Sequence, residues 1–222
     1  MILFGISLLC AIWFHLEIKQ FPHKINQQIY QDMQSLIPLN FSLQQCLAHS
    51  KLQPKNNRLS WLFFILYPFI LILFTSHSLP IILMLFMLIY LSLLDYEYYL
   101  TDSRYVAYIL LLSLANLLFF ESHFLYEKIC SLFFTFLFFS IFIPLTTWCY
   151  KKEVFGLGDA ILFIAISPLF QLDQMLWLLL CSCLLGILFY LCYWLIKKEK
   201  LIKLPFIPFI SFSTIALLWI NY

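Results

Sequence analysis

Residues 79–105 read LPIILMLFMLIYLSLLDYEYYLTDSRY. The first part, 79–95, is an almost unbroken apolar run with none of the alternation of a strand, and it ends on a single carboxylate, Asp95. A helix needs roughly 20 apolar residues to cross the hydrocarbon of a bilayer, and fewer where it stops at the interface. Backbone N–H and C=O groups cannot stay unpaired in lipid, so a run of this kind is a helix. Seven further runs share its character. The candidate spans are 1–18, 59–76, 79–95, 104–120, 127–150, 159–171, 174–196 and 204–221. The expected fold is all-α, a polytopic membrane helix bundle of about eight transmembrane helices. Residues 1–58 supply the first transmembrane helix and a cytoplasmic loop, and 59–222 the transmembrane core.

Composition removes the other classes. Of 222 residues, 64% are hydrophobic, 20% aromatic and 11% charged, whereas soluble domains carry roughly 25% charged residues. So few polar side chains could not cover a water-soluble core. The net charge of +2 is too small to suggest a nucleic-acid partner, and lipid is the main solvent. The seven cysteines lie almost wholly in apolar runs and form no CxxC pair, so neither a zinc site nor a disulfide framework is expected. The first run has no basic start and no small-residue cleavage site after it, and it is read as a membrane helix.

Orientation follows from the basic residues. Lys19, Lys24, Lys51, Lys55 and Arg58 follow the first run; every second connection after that carries Arg104, then Lys151 and Lys152, then Lys197, Lys198, Lys200 and Lys203. The opposite connections hold only Lys128. Cytoplasmic loops retain Lys and Arg, so the basic side is expected to face the cytoplasm. The stretch 17–58, rich in glutamine, is read as a cytoplasmic loop with one short interfacial helix.

Acids are scarce, at five Asp and six Glu. Asp95 falls at the rim of the hydrocarbon, where a lone carboxylate is costly unless it is protonated, hydrated or functional. Asp102 follows seven residues later, nearly two turns on, and would share a face with Asp95 if the helix continued. Asp159 closes FGLGDAILF at the start of the sixth run, and two of only four glycines, Gly156 and Gly158, directly precede it. Glycine permits positive φ and close backbone approach; an Asp there is equally a common helix N-cap. Glu97 and Glu153 are read as solvated. The expected topology puts Asp95 and Asp159 on one membrane side. Two adjacent carboxylates cannot both ionise cheaply, so one holds a proton. The ionised member can then activate water while the other protonates a departing amine.

The pattern Asp95-x6-Asp102 followed by Gly156-Leu157-Gly158-Asp159 resembles the type IV prepilin peptidases, a GxGD family of intramembrane aspartyl proteases. Pro205, Phe206, Pro208 and Phe209 resemble that family's proline-phenylalanine motif at the last helix. Phe21-Pro22 and Ile37-Pro38-Leu39 echo its N-terminal region. The resemblance implies a cytoplasmic (inner) membrane enzyme. Its substrates would be type IV prepilins or pseudopilins, whose leader is cut at the cytoplasmic end of a hydrophobic N-terminal helix. It implies Asp95 and Asp159 as the catalytic pair, Asp102 as a supporting acid, and Gly156 and Gly158 as shapers of the loop carrying Asp159. Many members also methylate the new N-terminus with S-adenosylmethionine. Larger members bind zinc through two CxxC pairs in the first loop; this chain has only Cys46 there, so no metal is expected, methylation is left open, and proteolysis needs no cofactor. The family's usual Pro-Asp is Thr101-Asp102 here. The compact loop is similar to competence-pilin leader peptidases. Two other readings remain on the residues: a small transporter or channel subunit drawing on His77, Ser113 and Asn116, and a catalytically inactive scaffold homologue.

Overall fold

The computed structural model of the chain describes residues 2–36, 44, 47, 50, 52–55, 58–152, 155–199 and 203–221. Ile37, Pro38, Leu39, Cys46 and Glu153, on which earlier readings fall, lie outside the described residues. The chain divides into two compact units, Met1–Leu73 and Phe74–Tyr222.

The first unit is built on helix α1 (Ile2–Leu36). This helix runs far beyond the expected boundary near residue 18. At 1.5 Å per residue its 35 residues extend over roughly 50 Å, well past a hydrocarbon layer of roughly 30 Å. Part of the expected loop is therefore helix that has left the lipid. Hydropathy falls there, but a backbone already hydrogen-bonded has no reason to unwind. Pro22 lies inside α1, while the neighbouring Phe21 is buried and Lys24 reaches back to Glu17 at 2.6 Å. The chain returns alongside α1 through Asn26, whose amide donates to the Leu52 carbonyl at 2.8 Å and accepts from Ser50 at 2.7 Å. A 3-10 turn (Arg58–Leu62) then leads into α2 (Phe63–Leu73). Phe14 of α1 meets Phe63 and Tyr67 of α2, with ring centroids 6.4 and 5.9 Å apart.

The second unit contains α3 (Leu79–Tyr98), α4 (Ser103–Phe120), α5 (Leu125–Tyr150), α6 (Leu157–Ile166, prolonged by a 3-10 turn to Leu169), α7 (Leu172–Lys197) and α8 (Ile207–Asn221). Their contacts close on themselves: α3 against α4, α4 against α6, α6 against α5, α5 against α7, α7 against α8, and α8 against α3. The chain thus has eight helical segments among the described residues, and no strand is found there. Five helices are long and apolar enough to cross a membrane, α1, α3, α4, α5 and α7, so this is a multi-pass membrane protein. The other three are apolar but shorter; α6 with its 3-10 turn, at 1.5–2 Å per residue, covers less than the roughly 30 Å of a full hydrocarbon layer. Eight full crossings are therefore an approximation.

Of the long helices α3 is the most enclosed, whereas α5 and α7 expose rows such as Phe133, Phe136, Ile141, Leu184 and Leu188, as lipid-facing helices do. Three helices, α3, α5 and α7, end on a residue in the left-handed region: Tyr99 (φ 54°), Lys151 (φ 53°) and Lys198 (φ 55°). Each C-cap N–H returns to a carbonyl of the last turn, which stops the helix and satisfies one orphan acceptor. Lys128, the one basic residue assigned to the far side, is buried and paired with Glu121. Glu121 also accepts from the Asn116 amide at 3.2 Å, and Asn116 in turn accepts from Ser78. This network ties the starts of α3 and α5 to the end of α4.

Candidate active site

Asp95 lies one turn before the end of α3 and is buried, 7% exposed. A buried carboxylate needs donors, and α8 supplies them. Asp95 Oδ2 accepts the Ile207 N–H at 3.0 Å, and the Phe206 N–H also bonds to this carboxylate. The sequence Pro205-Phe206-Ile207-Pro208 explains why these two. The first N–H groups of a helix have no partner within it, and the two flanking prolines have no N–H at all. Both donors that this stretch can offer converge on Asp95, where the positive end of the helix dipole also favours an anion. One turn earlier, the Ser92 and Ser211 hydroxyls lie 2.7 Å apart and both reach the Leu88 carbonyl, at 2.7 and 3.3 Å. The α3–α8 seam is thus fixed by polar contacts just beside the acid.

Asp159 stands in the first turn of α6, but it is not the N-cap. That position is Gly156, with no side-chain cap bond. The bland account of Asp159 as a capping residue therefore fails. Its carboxylate folds back over Gly156, where a Cβ would lie 2.7 Å from Oδ2. None of the four glycines takes a positive φ, so Gly156 and Gly158 serve here by leaving room and not by adopting a left-handed backbone. A Cβ on Gly158 would lie 2.5 Å from Thr101 Oγ1, which shows how tightly α6 meets the α3–α4 connection. Asp159 is within electrostatic reach of Asp95. Two acids 64 residues apart in the chain are thus near enough for their charges to interact.

Asp102 is placed differently from the expectation. The helix does not continue: Tyr99 N–H closes on the Asp95 carbonyl at 2.8 Å, the chain turns, and Asp102 becomes the N-cap of α4. Its carboxylate accepts the Arg104 N–H at 3.1 Å and the Arg104 guanidinium at 3.2 and 3.0 Å. Asp95 and Asp102 therefore share no helix face. Asp102 secures the far end of the turn that Asp95 begins, and the run Thr-Asp-Ser was a readable N-cap signal. Glu97, expected to be solvated, is buried at 8% exposure, because α3 continues through Tyr98 and keeps its last turn enclosed.

The surroundings of the two acids are aromatic. The Phe206 ring lies 5.8 Å from Phe155 and 6.3 Å from Phe163, residues that flank Asp159 in the chain. Phe139 of α5 stacks on both, at 5.5 Å each. Gly186 of α7 admits Phe206, since a Cβ there would be 3.3 Å from its ring. Sequence reading singled out Phe206, and noted Thr101 only as a departure from the family's Pro-Asp, but missed Phe155, Phe163, Ser92 and Ser211. With 25 phenylalanines in the chain, no single one stands out. Ser113 and Asn116, on which a transporter reading would draw, are committed: Ser113 is 2.8 Å from the Leu110 and Ala165 carbonyls. Among the described residues no cluster of three or more His, Cys, Asp or Glu is arranged to hold a metal.

Comparison with known proteins follows this geometry. The type IV leader peptidase family matches residues 82–191, the stretch that holds Asp95, Asp102, Gly156, Gly158 and Asp159. A protein of Haemophilus influenzae, described as a prepilin leader peptidase/N-methyltransferase, is 30% identical over 231 aligned residues, which cover all of this chain and 96% of the relative. No solved structure matches. A multi-pass helical chain alignable from end to end with such a relative belongs to the type IV leader peptidase family.

Proposed function

We propose that this protein is an intramembrane aspartic endopeptidase that removes the leader peptide of type IV prepilins or pseudopilins. Asp95 and Asp159 form its catalytic pair. The observation that carries this reading is the approach of Asp159 to an Asp95 held by the N-terminus of α8. Two backbone donors and a helix dipole favour the anion at Asp95. Asp159 has no donor among the described residues, and a second charge beside the first is disfavoured, so it carries the shared proton. Asp95 takes a proton from water as the water oxygen bonds to the scissile carbonyl carbon. Asp159 gives its proton to the peptide nitrogen as the C–N bond breaks. This chemistry requires neither metal nor cofactor, and Asp102 supports it by fixing the turn that follows Asp95.

The site faces the cytoplasm in this proposal. Arg104, Lys151 and Lys152 adjoin the ends of α3 and α5 and the start of α6 in the chain, and twelve of the thirteen basic residues fall in connections on this side. A substrate with a hydrophobic N-terminal helix would meet the pair where that helix leaves the lipid. The compact first loop favours a competence-type pilin system, and S-adenosylmethionine-dependent methylation is a separate activity. Mass spectrometry of a co-expressed pilin-like substrate tests the proposal. The expected product lacks its leader, cut beside the hydrophobic helix, and its mass reports any added methyl group. A substrate that stays uncut with the intact protein present in the membrane would defeat the assignment.

A further inference from the structure

We propose that Thr101 is a positioning residue of this site: its side chain occupies the space left by the absent Cβ of Gly158 and so sets where α6 presents Asp159 to Asp95. The proposal rests on the reading of the two acids given above and adds a determinant of their spacing. Thr101 lies in the connection 99–102, which is held at both ends. Tyr99 bonds back to the Asp95 carbonyl at 2.8 Å, and Asp102 is fixed by Arg104 and caps α4. From that anchored turn, Thr101 faces the peptide that immediately precedes Asp159. A Cβ at position 158 would meet Thr101 Oγ1 at 2.5 Å, Cβ at 2.9 Å and Cγ2 at 3.5 Å.

Glycine in a helical turn is unfavourable relative to alanine, so Gly158 is costly unless its backbone must approach something closely. Here it must. The helices bearing the two acids, α3 and α6, share no extensive face; each lies along α4 instead. The Thr101–Gly158 contact is therefore a direct mechanical link between the turn that starts at Asp95 and the turn that carries Asp159. Thr suits that role because a β-branched side chain is stiff at χ1 and makes a spacer of fixed length. Shape and not hydrogen bonding does the positioning.

The test is a size swap in the full-length membrane protein, measuring kcat and KM on a pilin-like substrate together with the thermal melting of each variant. Gly158→Ala should displace Asp159 and lower kcat by about 100-fold with little change in KM, as expected for a misplacement near 1 Å. Thr101→Gly in that background removes every clashing atom and should recover about tenfold or more of the lost rate. Thr101→Ala leaves the Cβ at 2.9 Å and should recover far less. Thr101→Val, which keeps the shape and loses the hydroxyl, should stay near wild type. A folded Thr101→Gly/Gly158→Ala protein no faster than Gly158→Ala overturns the proposal, as does equal rescue by Thr101→Ala. Melting temperatures judge the contact separately: touching residues give non-additive effects, and strict additivity of the pair also overturns it. If wild type cuts no pilin-like substrate, the peptidase reading fails, while the melting cycle still decides whether the two residues bear on each other.

Discussion

The Ile207 N–H donates to Asp95 Oδ2 at 3.0 Å, across 112 residues of chain. The bond joins the end of α3 to the beginning of α8, and it turns a main-chain group into part of a side-chain site. An acid inside a membrane bundle is stable as an anion only where such donors meet it. Here the donors belong to the backbone, so substitution of a side chain cannot remove them.

Proline can. Ile207→Pro deletes that one N–H at a first-turn position where the ring is sterically acceptable. Hydrogen bonds to charged groups contribute about 1.5–3 kcal/mol, so leader cleavage should fall by about tenfold or more, while Ile207→Val stays close to wild type. Rates from purified protein on a pilin-like peptide check this, and equal rates for Pro and Val would contradict it.

Replacing either acid should be more severe. Asp95→Asn and Asp159→Asn each remove a proton-transfer group whose contribution is typically about 10²–10⁴-fold, so mature pilin should disappear while the variant still accumulates in the membrane. Immunoblots of pilin processing beside membrane levels of the enzyme decide the point. Normal processing in both variants would end the two-acid mechanism.

Asp102 should behave as an anchor. Asp102→Asn retains a capping oxygen and should keep cleavage within about tenfold of wild type, a cost of no more than about 1.4 kcal/mol. Asp102→Ala also loses the cap, which lowers stability by about 1 kcal/mol, seen as a lower melting temperature. Inactivation by Asp102→Asn as complete as that of Asp95→Asn would move Asp102 into the catalytic group.

The Lys128–Glu121 pair at the other end of α4 gives a stability prediction. Lys128→Met leaves the largely enclosed Glu121 carboxylate, 14% exposed, without its counter-ion and should destabilise the protein by about 2–3 kcal/mol, less than the loss for a fully buried pair. Adding Glu121→Gln removes the stranded charge and should restore most of the loss. Thermal unfolding in detergent of both single variants and the double variant measures this coupling, and additive losses would show that the pair is not acting as a unit.

Proteolysis should also be indifferent to metal. Chelator treatment and Cys46→Ser are expected to leave cleavage unchanged. A loss of activity restored by added zinc would show that a metal takes part.

Much of the fold was readable because lipid imposes a simple rule. Apolar runs with no alternation must be helices, and all eight appear as helical segments. Boundaries failed where that rule stops. Past residue 18, α1 leaves the apolar phase but keeps its hydrogen bonds, so composition no longer reports its secondary structure. Asp95 and Asp159 were visible for a related reason: a carboxylate at the end of an apolar run is expensive in almost any fold, and it stands out before anything is known of its neighbours.

What composition and spacing determined, then, was a membrane-embedded helical chain with two conspicuous acids. Only the tertiary structure decided which groups meet them. The flanking prolines leave Phe206 and Ile207 as the donors of that stretch, but nothing in the letters marks Asp95, 112 residues away from Ile207, as the group they meet. Nothing marks Thr101 as the neighbour of Gly158 either. Those choices belong to the packing of α8 on α3 and of α6 on the α3–α4 turn, where close contact is set in three dimensions by shapes that linear order does not reveal.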